Sequence, residues 1–542
     1  MKKISLAITL VAVLAISFAL PSQASDVISN EETYFPTVMQ EPGWQGVNFD
    51  GAFSNGEPSY LYASLMPNFF ENNKLTICHS MTDKDCANAS KNVIFRSNFV
   101  QCQSASELDC IESISMKKDD GTIQNASFVR EWGQSDTFPA DPETGLPAGH
   151  GWSSWKIGDQ LYGVNVSVNG LLPQQERTKN GRVRFNGLSA KIQPISEVSK
   201  NVIQPEVRVM PRINGDGFGW DGTAIGEGCS IYENGKCGLR QSFDLNSQFS
   251  LKIRTSQPIT GWLHGRLRDA DISINNITDM ARSIAISAKP LAVPMVSVWK
   301  KWNELPADIQ ALYPAGSGGT SRNWSDFTTT DLANRTLRDD VEPAGQRAID
   351  RLNSWNPIFG DKATNMKTQW VVQTIFSSFS PQQQACLLKD GVSGYVGTNS
   401  TVYSDGTPTF TPETESLDYT VGAPHYDSKG NVFGGFYQLN MQSNVARCLY
   451  GFSNAPISAK IEVASQSGEA KIAVTTVSEK DNWLNLTASN FSFSNPKISV
   501  KLTQHAPEKA KPVVVVKKIT CKNSKGKKVT TTGTCPTGYK KI

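Results

Sequence analysis

Histidines, carboxylates, tryptophans and cysteines are the residues of this chain that could do chemistry, and their spacing decides which kinds. The five histidines, His79, His150, His264, His425 and His505, are scattered, with no two at the i, i+4 step that sets two metal ligands on one helix face. No Gly-x-Ser-x-Gly elbow exposes a serine nucleophile, and Gly316-Ser317-Gly318-Gly319 reads as a flexible linker. No phosphate-cradling loop ends in Gly-Lys-Ser/Thr and no dinucleotide fingerprint follows a strand, which excludes nucleotide chemistry. Asp339, Asp340 and Glu342 could supply the paired carboxylates of a glycosidase, but their place just ahead of a helix gives them a role against the helix dipole without catalysis. Residues 214–222 put Asp216 and Asp221 in a glycine-rich stretch that could hold calcium. That stretch lacks the alternating ligands and the twelfth-position Glu of an EF-hand, so a tight turn is expected.

Five of the twelve tryptophans fall between positions 299 and 370. Exposed indoles offer flat apolar faces to sugar rings, so Trp299, Trp302 and Trp324 form a candidate ligand platform. The competing role is in a core, as expected for Trp355 on an apolar stripe and for Trp370. No catalytic residue, cofactor or metal ligand is assigned.

The ten cysteines point to bracing. Cys78 and Cys86, Cys102 and Cys110, and Cys229 and Cys237 each enclose seven residues, while Cys386 with Cys448 and Cys521 with Cys535 complete the pairing by proximity. Zinc sites favour spacings of two to four residues, which none of the three short loops has, so disulfides are expected. Closing a nine-residue loop restricts the unfolded chain by roughly 2–3 kcal/mol on the chain-entropy model. Disulfides fit the opening residues: Lys2 and Lys3, an apolar run from Ile4 to Leu20, and small residues Ser22 and Ala24 read as an export signal over 1–25, cleaved after Ala24 or Ser25. The alternative is an uncleaved anchor, for which the apolar run is short. No later segment approaches ~18 apolar residues, so no transmembrane segment is expected in the mature chain.

At 542 residues the chain exceeds a single core, and its Ser, Thr, Asn and Gly content favours strands and loops. The fold class expected is mainly β: multi-domain β-sandwiches with a mostly helical insert and a flexible basic C-terminal tail. Over 26–199, short strands are separated by turn pairs such as Asn55-Gly56, Asp120-Gly121 and Asn169-Gly170, and Tyr162, Val164, Val166 and Val168 alternate as one face of a sandwich-like domain holding two cysteine loops. A second β segment over 200–297 carries the third loop and the alternating Phe249, Leu251 and Ile253.

Between 298 and 384 the period changes, and this is the mostly helical, Trp-rich region. Ala344, Ala348, Leu352 and Trp355 recur at helical steps behind Pro343, which suits a first helical turn. Val371, Val372, Ile375, Phe376 and Phe379 also fall at helical spacing, with Pro381 as a stop. Over 385–503 alternation returns in Ile461 and Val463, Phe491 and Phe493, and Ile498, Val500 and Leu502. The expectation there is an immunoglobulin-like β domain, with Cys386 and Cys448 joined across it.

Residues 504–542 carry ten lysines against one glutamate, so the small net charge of +3 hides an acidic body with a basic tail. The tail closes on Ile519-Thr520-Cys521, a lysine-rich spacer, and Cys535-Pro536-Thr537-Gly538-Tyr539-Lys540-Lys541. This ending resembles short C-terminal modules on secreted proteins of aquatic actinobacteria. The paired cysteine loops, with Asp109 to Ile114, and the stretch from Val445 to Phe452 are likewise similar to large exported actinobacterial proteins. The resemblance covers about a tenth of the chain and implies a secreted or cell-surface location. It carries over no ligand and no functional residue.

A tail this basic is drawn to anionic envelope polymers or lipid headgroups. Nucleic acid is not expected as a partner, because Tyr539 is the tail's only aromatic and gives no stacking platform. The function expected is a non-catalytic extracellular or envelope-associated binding or structural protein. The alternative is a secreted glycan-active hydrolase or carbohydrate-binding protein using the Trp-rich helical region.

Overall fold

Alternating apolar residues build the longest strands, and the chain is mainly β. This computed structural model describes residues 43–49, 59–65, 76–132, 137–177, 181–199, 211–214, 217–220, 229–233, 236–314, 337–375, 381–388, 391–453, 457–464, 470–471, 474–493, 497–504 and 518–542. In the strand Gln160–Leu172, Tyr162, Val164, Val166 and Val168 enter the largest core. Gly163, Asn165 and Ser167 on its other face are buried as well, where Trp132, Trp152, Ile195 and Ile231 form a smaller apolar cluster. Asn169-Gly170 is no turn but lies inside this strand. A Cβ at Gly170 would stand 2.2 Å from the Arg184 carbonyl oxygen, so glycine serves close strand approach here.

Cys110–Lys117, Gln248–Thr255, Arg282–Lys301 and Leu267–Asn276 pair side by side, all antiparallel. Their register aligns Ile114, Leu251, Ile286 and Ile272 in one row, all buried in the largest core. Phe249 meets Tyr162 edge-on at 5.5 Å and joins this sheet to the strand Gln160–Leu172. Because side chains alternate, polar residues occupy the opposite face.

The strand Arg282–Lys301 exchanges partners along its length and runs across the 297/298 division. After the sheet just described, its 291–295 segment pairs with Asn365–Ile375, and its 296–301 segment with Trp44–Phe49. Asn365–Ile375 corrects the expected helix at Val371, Val372 and Ile375. Trp370, Val371 and Val372 are all buried because both faces of this strand are covered, and a continuous apolar run does not separate a doubly buried strand from a helix. Phe376, Phe379 and Trp324 lie outside the described residues. The helical insert is therefore reduced, among the described residues of 298–384, to the 3-10 turn Trp302–Glu304 and the helices Ala307–Ala311, Gln346–Phe359 and Pro381–Cys386, set between strands.

Gln346–Phe359 is the helix expected around Ala348, Leu352 and Trp355, which with Ile349 form its buried face. It starts after Gly345 and ends at the left-handed Gly360, so Pro343 precedes the helix and does not sit in its first turn. This helix packs with Val47, Phe49, Val296 and Val341 in a separate core.

Farther along, Val392–Thr398, Gly434–Gln442, Trp483–Ser492 and Val474–Lys480 pair in sequence. Ser416–Gly422, Lys497–Gln504 and Ile457–Ala464 form another sheet. Leu439, Met441 and Leu486 of the first share a core with Leu417, Tyr419 and Val500 of the second. The Cys386–Cys448 disulfide is present but ties the helix Pro381–Cys386 to the helix Ser443–Tyr450, so it does not cross between sheets.

Among the described residues no helix is long and apolar enough to cross a membrane. The last stretch is another correction. Lys518–Asn523, Lys528–Thr532 and Tyr539–Lys541 form a three-stranded antiparallel sheet where a flexible tail was expected.

Candidate functional site

The terminal sheet is built from a sequence with almost no apolar content. Among 518–542 only Cys521 is buried, with Ile519, Val529 and Tyr539 half-buried, too little to order three strands alone. The Cys521–Cys535 disulfide supplies the missing constraint: closing that 15-residue loop is worth about 3 kcal/mol on the entropy model. Asn523 shapes the hairpin, its Oδ1 accepting from the Lys525 and Lys527 amides at 3.1 and 2.9 Å. Seven lysines, Lys518, Lys522, Lys525, Lys527, Lys528, Lys540 and Lys541, are all exposed, and no Asp or Glu occurs in the segment.

In the body, several surface ions meet partners of opposite charge. Arg130 pairs with Glu233 at 2.6 Å and reaches Glu197, which Lys236 approaches at 2.9 Å. Burial alone would raise the Glu112 carboxyl, but Arg254 and Lys252, at 2.9 and 2.7 Å, hold it below its ordinary value. Asp418 follows the same balance: burial would raise it, but Lys497 at 2.7 Å together with the Ser499, Thr411 and Ser416 hydroxyls holds it below its ordinary value.

A depression of about 270 Å³ opens on the polar face of the sheet made by Cys110–Lys117 and its three neighbours. Ser115, Ser250, Ser287 and Asp271 align across four strands, and Ser113, Lys252, Ala285 and Ser273 form the adjacent row. The Ser250 and Ser287 hydroxyls are 2.8 Å apart. Small hydroxyl side chains create the hollow, and each can donate and accept. Period-two alternation exposes this face in the sequence, but its rows appear only once strand register is known.

The cysteine loops have a shared mechanism that their spacing alone did not reveal. In Cys78–Cys86, Asp83 accepts from the His79 amide at 2.6 Å and the Ser80 hydroxyl at 2.8 Å, which lowers its carboxyl pKa. In Cys102–Cys110, Glu107 at the same sixth position accepts from the amides of Gln103 and Ser104. An acid at position six, folding back on position two, was the available signal. Cys237 is disulfide-bonded, while the side chain of Cys229 lies outside the described residues. Residues 211–220 contain a hairpin of Pro211–Asn214 with Gly217–Trp220; Asp216 and Asp221 lie outside the described residues.

Trp299 is half-buried, opposite Gly46, where a Cβ would come within 2.4 Å of its ring. Trp302 is half-buried against the helix core, and Trp355 and Trp370 have no exposure. Asp339, considered for acid–base work, lies on the strand Leu337–Asp340 and is fully buried. Its carboxylate accepts from the Tyr313 hydroxyl at 2.9 Å and faces Arg347 and Arg351 at 3.3 and 3.1 Å, so it locks the helix Gln346–Phe359 through side-chain pairing and not through the helix dipole.

A second buried polar group lies beneath Tyr403. His264 stacks on that ring at 4.1 Å, and the Arg266 guanidinium lies 4.9 Å from the same ring. Arg266 donates to the Thr398 carbonyl at 2.8 Å. Burial, reinforced by Arg266, pushes the His264 imidazole well below its ordinary pKa, and burial pushes Tyr403 and Tyr419 up. These groups hold two sheets in register around an aromatic stack.

In comparisons with known proteins, no family model and no curated protein matches this chain. Its function is therefore read from the surfaces themselves.

Proposed function

We propose that the protein works outside the cell as a non-catalytic, envelope-associated binding protein, held to anionic polymers or headgroups by its lysine-rich terminal sheet. The observation that carries this reading is the contrast between a disulfide-closed sheet with seven exposed lysines and no acid, and a body in which several surface ions meet partners of opposite charge. The four disulfides described at both ends fit an oxidising compartment, and the leader-like residues 1–25 support export. In this reading the layers around the two large cores are β-sandwiches, the one within 385–503 immunoglobulin-like, and they act as a rigid carrier. The test is retention on isolated cell envelopes of the wild type and of a variant with all seven terminal lysines changed to Gln. Retention of the wild type alone supports the proposal, and equal retention of both overturns it.

The serine rows favour a second reading, as a carbohydrate-binding protein. Ser115, Ser250 and Ser287 match the donor and acceptor pattern of sugar hydroxyls, in place of the tryptophan platform. A glycan array probed with the wild type and with Ser250→Leu, which fills the hollow, decides it. Specific retention on one sugar, lost in the variant, supports this reading.

A further inference from the structure

The terminal sheet does not scatter its lysines evenly. Strand register places Lys528 opposite Lys522 and Lys522 opposite Lys540, so three lysines form one row across all three strands. Directly opposite residues have Cβ atoms about 4.5–5.5 Å apart, and like charges in such pairs repel. Alternation puts Lys518, Thr520, Thr530 and Thr532 on that same face, while Ile519, Cys521, Val529 and Tyr539 turn to the other, more covered one. Nothing acidic within 518–542 offsets the row.

A row of like charges costs the sheet stability unless a ligand of opposite charge lies along it. Its axis runs perpendicular to the strands, and the neighbouring threonine hydroxyls can donate to oxyanions. Lysine ammonium groups are compact point charges whose three N–H donors can meet phosphate oxygens in many orientations. We propose that the face bearing Lys528, Lys522 and Lys540 is a rail for a linear phosphate-bearing polymer lying across the three strands. This deepens the envelope-binding reading and rests on it.

The probe is long-chain inorganic polyphosphate, with orthophosphate and phosphatidylglycerol vesicles as comparison arms, titrated into the full chain. Two variants remove equal charge: Lys522→Gln/Lys528→Gln/Lys540→Gln on the row, and Lys525→Gln/Lys527→Gln/Lys541→Gln off it. The wild type is expected to bind polyphosphate more tightly than either orthophosphate or vesicles. Taking the worth of a lysine at an anionic surface as the guide, the row variant should lose about 100-fold in affinity and the other about 3-fold or less. Lys522→Glu alone, at the centre of the row, should weaken binding by at least about 10-fold and serves if the triple variant misfolds. Equal losses in both triples overturn the rail while leaving the envelope reading in place. Tighter, row-dependent binding to vesicles overturns the polymer assignment. A wild type that binds neither polyphosphate nor envelopes overturns both.

Discussion

Tyr313 donates its hydroxyl to Asp339 at 2.9 Å in a core where the Asp339 side chain has no exposure. Trp355 donates in turn to the Tyr313 oxygen at 3.1 Å, and Arg351 lies 4.7 Å from the Tyr313 ring. Burial, with the Asp339 charge beside it, pushes the phenol pKa up, so Tyr313 stays a donor across the working pH range. One carboxylate thus joins the strand Leu337–Asp340, the segment around Tyr313 and the helix Gln346–Phe359.

Removing that carboxylate takes the ion partner from the largely buried Arg351 and from the half-exposed Arg347. Asp339→Ala should cost about 3–5 kcal/mol, because a buried pair broken on one side leaves charge uncompensated. Tyr313→Phe should cost about 1.5–3 kcal/mol, the range for a hydrogen bond to a charged group. Denaturant unfolding of both variants checks this, and a cost below 1 kcal/mol for Asp339→Ala would mean that the network is not structural.

His264 makes stability depend on pH. Its folded-state pKa is depressed by burial and then by Arg266, so both states are neutral above the unfolded value of about 6.5. As pH falls below that value the unfolded chain takes up a proton that the native state refuses, and stability declines by up to about 1.4 kcal/mol per pH unit. His264→Phe keeps a stacking ring on Tyr403 and should flatten the slope between about pH 6.5 and 5. An unchanged slope in denaturant titrations over that window would remove His264 from the account.

The disulfides should differ in worth. Opening Cys386–Cys448, with a sequence separation of 62, should cost about 4 kcal/mol by the entropy model, against roughly 2–3 kcal/mol for Cys78–Cys86 at a separation of 8. Paired Cys→Ala variants unfolded in denaturant give the comparison. A larger loss from the short loop would show that it holds more than its own closure.

Gly170→Ala tests the correction within Gln160–Leu172. The added methyl would meet backbone at 2.2 Å and Phe95 at 2.5 Å, so the strands must part, at about 1–3 kcal/mol. A turn glycine would tolerate alanine with less loss, provided its φ is negative.

What could be read from sequence was what is local. Phe249, Leu251 and Ile253 alternate and form a strand; Ala348, Leu352 and Trp355 recur at helical steps and form a helix. Val371 and Val372 misled because a strand covered on both faces loses its alternation. The terminal sheet was hidden because its order comes from one crosslink and not from an apolar pattern. The serine rows and the lysine row were illegible for a shared reason: Ser115 meets Ser250, and Lys522 meets Lys540, through pairings between separate strands that no single window contains.

Retention of the full chain on isolated envelopes, followed as salt is raised, tests the central claim most directly. Capture by the lysine sheet predicts strong retention at low salt and a steep, continuous loss as screening shortens the reach of each charge. Retention that is unmoved by salt, or absent at the lowest salt, would contradict it.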